Sequence, residues 1–268
     1  MLVHFGADAA VYAGGTELLL AMKQGSLRYG HLVDLKTIDG LDQIQLRDGL
    51  LWIGALATHR AIERSPVVAE HLHVLAALER HVANVRVRTT GTLGGNLCFA
   101  EPHSDPATLL QCLDTRLVLA GPGGVRELSA AEFVVGPYEV ALQPGELLHA
   151  VVVGPLRSSQ RAAYQKFQVH EYPLLGLALM LELAAADTIV EARVAIGSVS
   201  PTPRRSPTAE ALLVGDRRQA ARQLDDAAEA LADDAELLDD REGSAEYKRH
   251  LIHVLLRRAF AEVSHDGD

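Results

Sequence analysis

Short apolar runs along the first half of the chain alternate with stretches whose apolar positions recur every three or four residues, which predicts strands interleaved with helices. Ala9 to Ala13, Leu32 to Leu35 and Leu51 to Gly54 read as extended. Thr16 to Gln24 reads as a helix with Leu18, Leu19 and Met22 on one face, Thr16 at its N-cap and Gly25 just past its end. His59 to Glu63 and Val67 to His81 read as further helices, the second with Leu72, Leu75, Ala76 and Leu78 at helical spacing.

The pattern then changes. Ala107 to Leu113 reads as helical, and Arg116 to Leu119 and Arg126 to Leu128 as strands around the turn Gly121-Pro122-Gly123-Gly124, with Ala130 to Phe133 as a short helix. Arg157 to Arg161, with two serines, is the candidate boundary between two domains, 1–156 and 160–263. Beyond it, Ala163 to Phe167, Leu174 to Leu183 and Ile189 to Val199 predict an antiparallel sheet, with Ala185 to Thr188 as a turn. The remainder is mainly helical. Asp225 to Glu242 is strongly acidic and its Ala and Leu content fits a solvent-facing helix and loop. Glu246 to Phe260 places Tyr247, Leu251, Val254, Leu255 and Ala259 inward, with Arg249, Arg257 and Arg258 outside.

Composition narrows the function class. The 268 residues are 48% hydrophobic and 22% charged, with a net charge of -10, which argues against nucleic acid or an anionic membrane surface as the main partner. The most apolar stretch, Pro173 to Ala186, is interrupted by Glu182 and is too short for a membrane span, which takes about 20 residues. Met1 leads within a few residues to His4 and Asp8 without a basic flank or a long apolar run, so the expected location is the cytoplasm. Cys98 and Cys112 are too few for an iron–sulfur cluster and read as buried thiols, and the histidines lack metal-ligand spacing, so no metal is assigned.

Candidate chemistry concentrates at two glycine pairs, Gly14-Gly15 in VYAGGTELLL and Gly94-Gly95 in GTLGGNLC. Glycine allows positive φ and close approach to the main chain, so each pair is expected to bare backbone amides towards an anion. Neither loop carries Lys or Arg. That suits a permanently held phosphate gripped by amides and by Thr16, Thr92 and Asn96 rather than a turned-over triphosphate. Neither G-x-x-x-x-G-K-[ST] nor a strand followed by G-x-G-x-x-G is present.

Several segments in fixed order resemble the flavin-binding medium subunit of the molybdenum hydroxylases, the family of xanthine dehydrogenase and carbon monoxide dehydrogenase. They are AGGTELLLAMK at Ala13 to Lys23, IGALATH at Ile53 to His59, GTLGGNL at Gly91 to Leu97, SDP at Ser104 to Pro106 and GPYEVALQPGELL at Gly136 to Leu148. YQKF at Tyr164 to Phe167, ARVAIGSVSPTPRR at Ala192 to Arg205 and AEYKRHLIHVLLRRA at Ala245 to Ala259 complete the set. The resemblance implies an α+β chain: a p-cresol-methylhydroxylase-type FAD domain over 1–156, then a smaller domain like the carbon monoxide dehydrogenase flavoprotein C-terminal domain over 160–263. It also implies an N-terminus shortened by the strand and helix that relatives place before the first glycine loop.

By the same resemblance, Ala13, Gly14, Gly15, Thr16 and Glu17 with Thr92, Gly94, Gly95 and Asn96 hold the FAD diphosphate. Asp105 meets the ribose or adenine side, Leu147 or Leu148 lines the pocket, Lys166 lies near the flavin ring and Tyr172 shields it. Read from the residues alone, Lys166 is equally well a surface lysine on an edge strand. His170-Glu171-Tyr172-Pro173 departs from the small residues usual beside the flavin. No histidine stands in the first loop, so the FAD is expected to be non-covalent. The implied activity is electron transfer from [2Fe-2S] clusters in a small partner subunit to an external acceptor. Molybdopterin sits in a large partner subunit, and the assembly is a dimer of heterotrimers. No side chain is assigned a catalytic role. The rival readings are a free-standing FAD-dependent oxidase or reductase, which needs an acid–base pair not evident here, and a non-catalytic nucleotide-binding scaffold.

Overall fold

The computed structural model describes residues 1–169, 172–185 and 188–264. The expected turn after Ala185 and the pair His170-Glu171 fall wholly or partly outside the described residues. The chain divides into two compact units, Met1–Glu101 with Thr115–Pro155, and Pro102–Asp114 with Leu156 onward.

In the first unit, α1 (Leu2–Phe5), β1 (Ala9–Tyr12), α2 (Leu18–Lys23) and β2 (His31–Asp34) precede β3 (Ile44–Arg47) and β4 (Leu50–Gly54). Then come the short helices α3 (His59–Arg64), α4 (Pro66–His71), α5 (His73–Glu79), α6 (Val85–Thr90) and α7 (Leu93–Phe99). After α8 (Asp105–Leu110), which belongs to the second unit, the chain adds β5 (Thr115–Gly121), β6 (Gly124–Ser129), α9 (Ala130–Phe133), β7 (Val134–Gly136), β8 (Glu139–Val140) and β9 (Leu147–Val153). β1 and β2 form a parallel pair, and five antiparallel strands lie in the order β3-β4-β9-β5-β6. Register places Ile53, Val151 and Leu117 in one cross-strand row, all buried. Burial of each such side chain contributes about 1.5–3 kcal/mol. The opposite face gathers Val118, Ala150 and Val152 under Leu50 and Trp52.

The second unit continues with β10 (Gln160–Gln168), β11 (Pro173–Ala185), β12 (Thr188–Gly197), β13 (Arg204–Arg205), α10 (Pro207–Leu213), β14 (Gly215–Asp216), α11 (Arg217–Arg222), α12 (Leu224–Asp234) and α13 (Ala245–Ser264). Its sheet is antiparallel in the order β10-β11-β12-β13, with β14 on β12. Leu177, Leu179 and Leu181 alternate inward along β11, and α13 closes over them with Leu251, Leu255 and Ala259.

Four expectations are corrected. Thr16 is not the N-cap of α2: Glu17 occupies that position, without a side-chain cap. The apolar run from Val67 to His81 is two helices, broken at Leu72 with φ -151°. Gly94 and Gly95 lie in the first turn of α7 rather than in an open loop. On α13, Lys248 is buried while Tyr247 is exposed. The acid-rich α12 also proves ordered by charge as well as by its apolar face. Asp225, Glu229 and Asp233 meet Arg257, His253 and Arg249 of α13, with His253 at 2.8 Å from Glu229 and Arg249 at 2.8 Å from Asp233.

Candidate functional site

The first glycine loop leaves β1 at Tyr12 and enters α2 at Leu18. Gly14 lies so close to the end of α6 that a Cβ there would stand 2.1 Å from the Thr90 carbonyl oxygen. Gly15 takes φ +72°, which the missing side chain makes inexpensive. Among the described residues, the amides of Gly14, Gly15, Thr16 and Glu17 donate to no protein acceptor. All four residues are half-buried, so this is a sheltered row of backbone donors, the arrangement that binds anions.

The second glycine pair has its amides engaged. Thr92 is buried and caps α7, its Oγ1 accepting from the Gly95 amide at 3.0 Å. Leu93 donates to the Ala57 carbonyl at 3.0 Å, Gly94 to Ala55 at 2.9 Å and Asn96 to Thr92 at 2.9 Å. Gly94 is required for packing: a Cβ would stand 2.6 Å from the Ala55 Cβ. The two jaws nevertheless meet. A Cβ on Gly91 would come within 3.3 Å of the Thr16 Oγ1, and one on Gly95 within 4.0 Å of the Ala13 Cβ. The expectation that both pairs bare their amides therefore holds for the first alone, because the second secures α7 to the turn after β4.

Leu148 is buried on β9, while the neighbouring Leu147 packs with Ala13 and Val11 around Leu35, Leu41 and Leu56. Glu17 faces more than amides: partial burial and the carboxylate of Glu101 raise its own carboxyl above the ordinary 4.5. Tyr138, at φ +60°, donates its amide to the Ala100 carbonyl at 2.8 Å, and burial, Glu101 and Glu17 raise its phenol.

Asp105, Lys166 and Tyr172 belong to the second unit. Asp105 is buried and accepts from the Tyr164 hydroxyl at 2.6 Å and from the Lys166 ammonium at 2.9 Å. Gly176 leaves room for this, since a Cβ there would stand 2.2 Å from the Tyr164 hydroxyl. Burial and the Asp105 charge hold the Tyr164 phenol well above 10. Lys166 is on an edge strand, yet its side chain is only 12% exposed. Tyr172 is half-exposed, with its ring 5.6 Å from that of His103.

Sequence reading missed three neighbours of the first jaw. Lys36 comes to 3.5 Å from the Ala13 carbonyl and lies over the Tyr12 ring, paired with Asp34 at 3.1 Å. Thus a basic side chain does stand beside this loop, supplied from β2's far end. His59 and Glu79 form a buried pair at 2.7 Å behind Gly91. Their separation of twenty positions hides that pairing, although His59 closes the IGALATH segment. Among the described residues no group of three or more His, Cys, Asp or Glu side chains could hold a metal, and no helix is long and apolar enough to cross a membrane. Cys112 is buried against the Ala178 carbonyl, and burial pushes its thiol up to about 12.

A sheltered row of neutral amides beside a capped helix suits an anionic group such as a diphosphate. Residues 2–155 match the FAD binding domain in molybdopterin dehydrogenase, and residues 162–263 match the CO dehydrogenase flavoprotein C-terminal domain. The chain belongs to this family of FAD-binding oxidoreductase subunits, with a p-cresol-methylhydroxylase-type FAD domain followed by the C-terminal domain. It is 32% identical to the carbon monoxide dehydrogenase medium chain of Afipia carboxidovorans, across 97% of this chain and 90% of that one. It is 31% identical to the nicotine 6-hydroxylase medium subunit of Paenarthrobacter nicotinovorans, across 98% and 92%. Among solved structures, the Cu,Mo-CO dehydrogenase in its cyanide-inactivated form superimposes with a TM-score of 0.92 at 31% identity, over 98% of this chain and 92% of that one. Quinoline 2-oxidoreductase from Pseudomonas putida 86 gives 0.91 at 28%, over 98% and 92%.

Proposed function

We propose that this chain is the FAD-binding electron-transfer subunit of a molybdenum hydroxylase complex that works in the cytoplasm. The observation that carries the reading is the row of four unclaimed amides from Gly14 to Glu17, set in a chain of this family. The FAD domain is assigned to 1–156 and the C-terminal domain to 160–263. FAD held there would supply the redox chemistry of an electron path from [2Fe-2S] clusters in a small subunit to an external acceptor. Molybdopterin and the substrate belong to a large subunit, and the assembly proposed is a dimer of heterotrimers.

The chain's own residues bind and orient. Gly14, Gly15, Thr16 and Glu17 donate through their amides to the diphosphate, with Ala13 and Leu148 shaping the cradle. Thr92, Gly94 and Gly95 hold α7 in place, and Asn96 adds a polar contact. Asp105, Lys166 and Tyr172 are assigned to the same cofactor on the family resemblance. Asp105 keeps the Lys166 ammonium fixed, which suits an electrostatic role towards a reduced ring. No residue is required as a nucleophile.

The test is purification followed by absorbance spectroscopy and acid release. One FAD per chain, freed by acid and identified by chromatography, is the expected result. A colourless protein that takes up no added FAD would overturn the reading. Co-expression with genes for a clustered-cysteine small subunit and a large subunit is expected to yield a stable complex.

A further inference from the structure

The diphosphate of a dinucleotide is a dianion, and the first jaw offers it an acidic setting. The chain has a net charge of -10. Glu17 ends the row of amides, and its carboxyl, raised by burial and by Glu101, already feels a second carboxylate. Amide dipoles bind an anion without cancelling repulsion of this kind, which takes a positive charge nearby. Lys36 brings one to the loop.

Lys36 follows β2, two positions beyond the register pair of Tyr12 with Asp34. Asp34 holds it at both ends: the Lys36 amide donates to Asp34 Oδ1 at 2.9 Å, and the ammonium lies 3.1 Å from Oδ2. The Leu35 amide donates to the Tyr12 carbonyl at 3.0 Å, which carries the β1–β2 pairing to the entrance of the loop. There the ammonium stands 3.8 Å from the centre of the Tyr12 ring and 3.5 Å from the Ala13 carbonyl oxygen. The same ring lies against Gly15, where a Cβ would come 2.4 Å from Tyr12 Cε2. Both residues of the ion pair are half-exposed, so it adds little to stability by itself. Its consequence is where it places the cation.

The carbonyl that Lys36 contacts belongs to the peptide ending in the Gly14 amide, the first unclaimed donor of the row. That peptide is trans, so its carbonyl and its N–H point opposite ways and the ammonium sits behind the donor. A cation at a carbonyl oxygen draws charge from the amide and makes its N–H a stronger donor.

We propose that Lys36 is a positioning residue of this cradle: seated on the Ala13 carbonyl, it polarises the Ala13–Gly14 peptide towards the diphosphate and supplies the positive charge that both glycine segments lack. The proposal rests on the reading of this loop as the diphosphate site of FAD. Asp34 and the Tyr12 ring hold the ammonium at that carbonyl.

The experiment titrates the full chain with FAD, followed by fluorescence, at about 0.01 M and about 1 M salt, between which the screening length falls from about 30 to about 3 Å. Lys36→Met keeps the stem over the Tyr12 ring and removes the charge, and Lys36→Arg keeps the charge. The expected result is about fivefold weaker binding by Lys36→Met at low salt, a gap that closes at high salt, and binding by Lys36→Arg within about twofold of wild type. In the cofactor-free protein the Gly14 amide resonance is expected to move in Lys36→Met, with circular dichroism as the check on folding. A gap of the same size at both salt concentrations, or Lys36→Arg binding as weakly as Lys36→Met, shows that Lys36 only packs the loop and overturns the proposal. Unchanged affinity or an unmoved Gly14 resonance in Lys36→Met overturns it too. If Lys36→Met does not fold, Lys36→Gln carries the same comparison. Wild-type protein that takes up no FAD at either salt concentration would instead sink the underlying site assignment, which separates the two failures.

Discussion

Between Tyr12 and Leu18 four successive amides meet no protein acceptor, whereas from Leu93 to Asn96 every amide is bonded to Ala57, Ala55 or Thr92. One glycine pair therefore keeps its donors available, and the other uses its missing side chains to let a helix sit against the turn after β4. On the proposed reading, glycine-rich segments serve a phosphate in two ways: one would supply the bonds, and the other the rigidity behind them, because Gly14 rests on Thr90 at the entrance to α7.

The largest effect expected from breaking this comparison is at Gly94. Gly94→Ala forces a Cβ to 2.6 Å from Ala55, and overpacking of this kind is expected to cost about 3 kcal/mol, read as a lower denaturation midpoint in urea. A midpoint equal to wild type would show that α7 can slide away. Gly15→Ala is expected to behave differently. Its φ of +72° makes alanine strained by about 1–2 kcal/mol, but the nearest atom is the Tyr12 ring, which can shift. Folded protein with roughly tenfold weaker FAD binding is the outcome to look for by fluorescence titration. Equal stability losses in the two variants would erase the distinction between the loops.

The smallest effect concerns Glu17. Its carboxyl is raised above 4.5 in the folded state by burial and Glu101, so folding takes up a proton there. That contribution to stability is complete below about 4.5 and is lost as pH rises through the higher folded-state value. Glu17→Gln should flatten this part of the stability curve of the cofactor-free protein; an unchanged slope in denaturation measured across that range would count against the burial of this carboxyl and its repulsion by Glu101.

Much of the strand and helix order is written locally. Gly121 to Gly124 forms the turn between β5 and β6, and Ser129 with Glu132 builds the capping box that starts α9 at Ala130. The two jaws were legible because glycine pairs are rare signals with a direct physical meaning. What stayed hidden depends on distance along the chain. The helical Gly94 and Gly95 contradict local propensity; Gly94 makes sense beside Ala55 and Gly95 beside the Thr92 hydroxyl. Ser65 ends α3 and caps α4 at once, its Oγ accepting from Val68 at 3.3 Å, which the apolar spacing across it cannot reveal. His59 with Glu79, and Lys248 with the Leu238 carbonyl and Asp240 of the preceding segment, are polar groups whose burial follows from partners outside their own helix, which helical spacing cannot reveal.

Along α12 and α13 the acids at 225, 229 and 233 oppose Arg257, His253 and Arg249. Each set repeats every four residues, so sliding one helix past the other by a single turn strands an unmatched charge at both ends. The hairpin they form is keyed: it has one alignment in which every rung is filled, and the greasy contacts beneath, which would tolerate a shift, do not have to choose it.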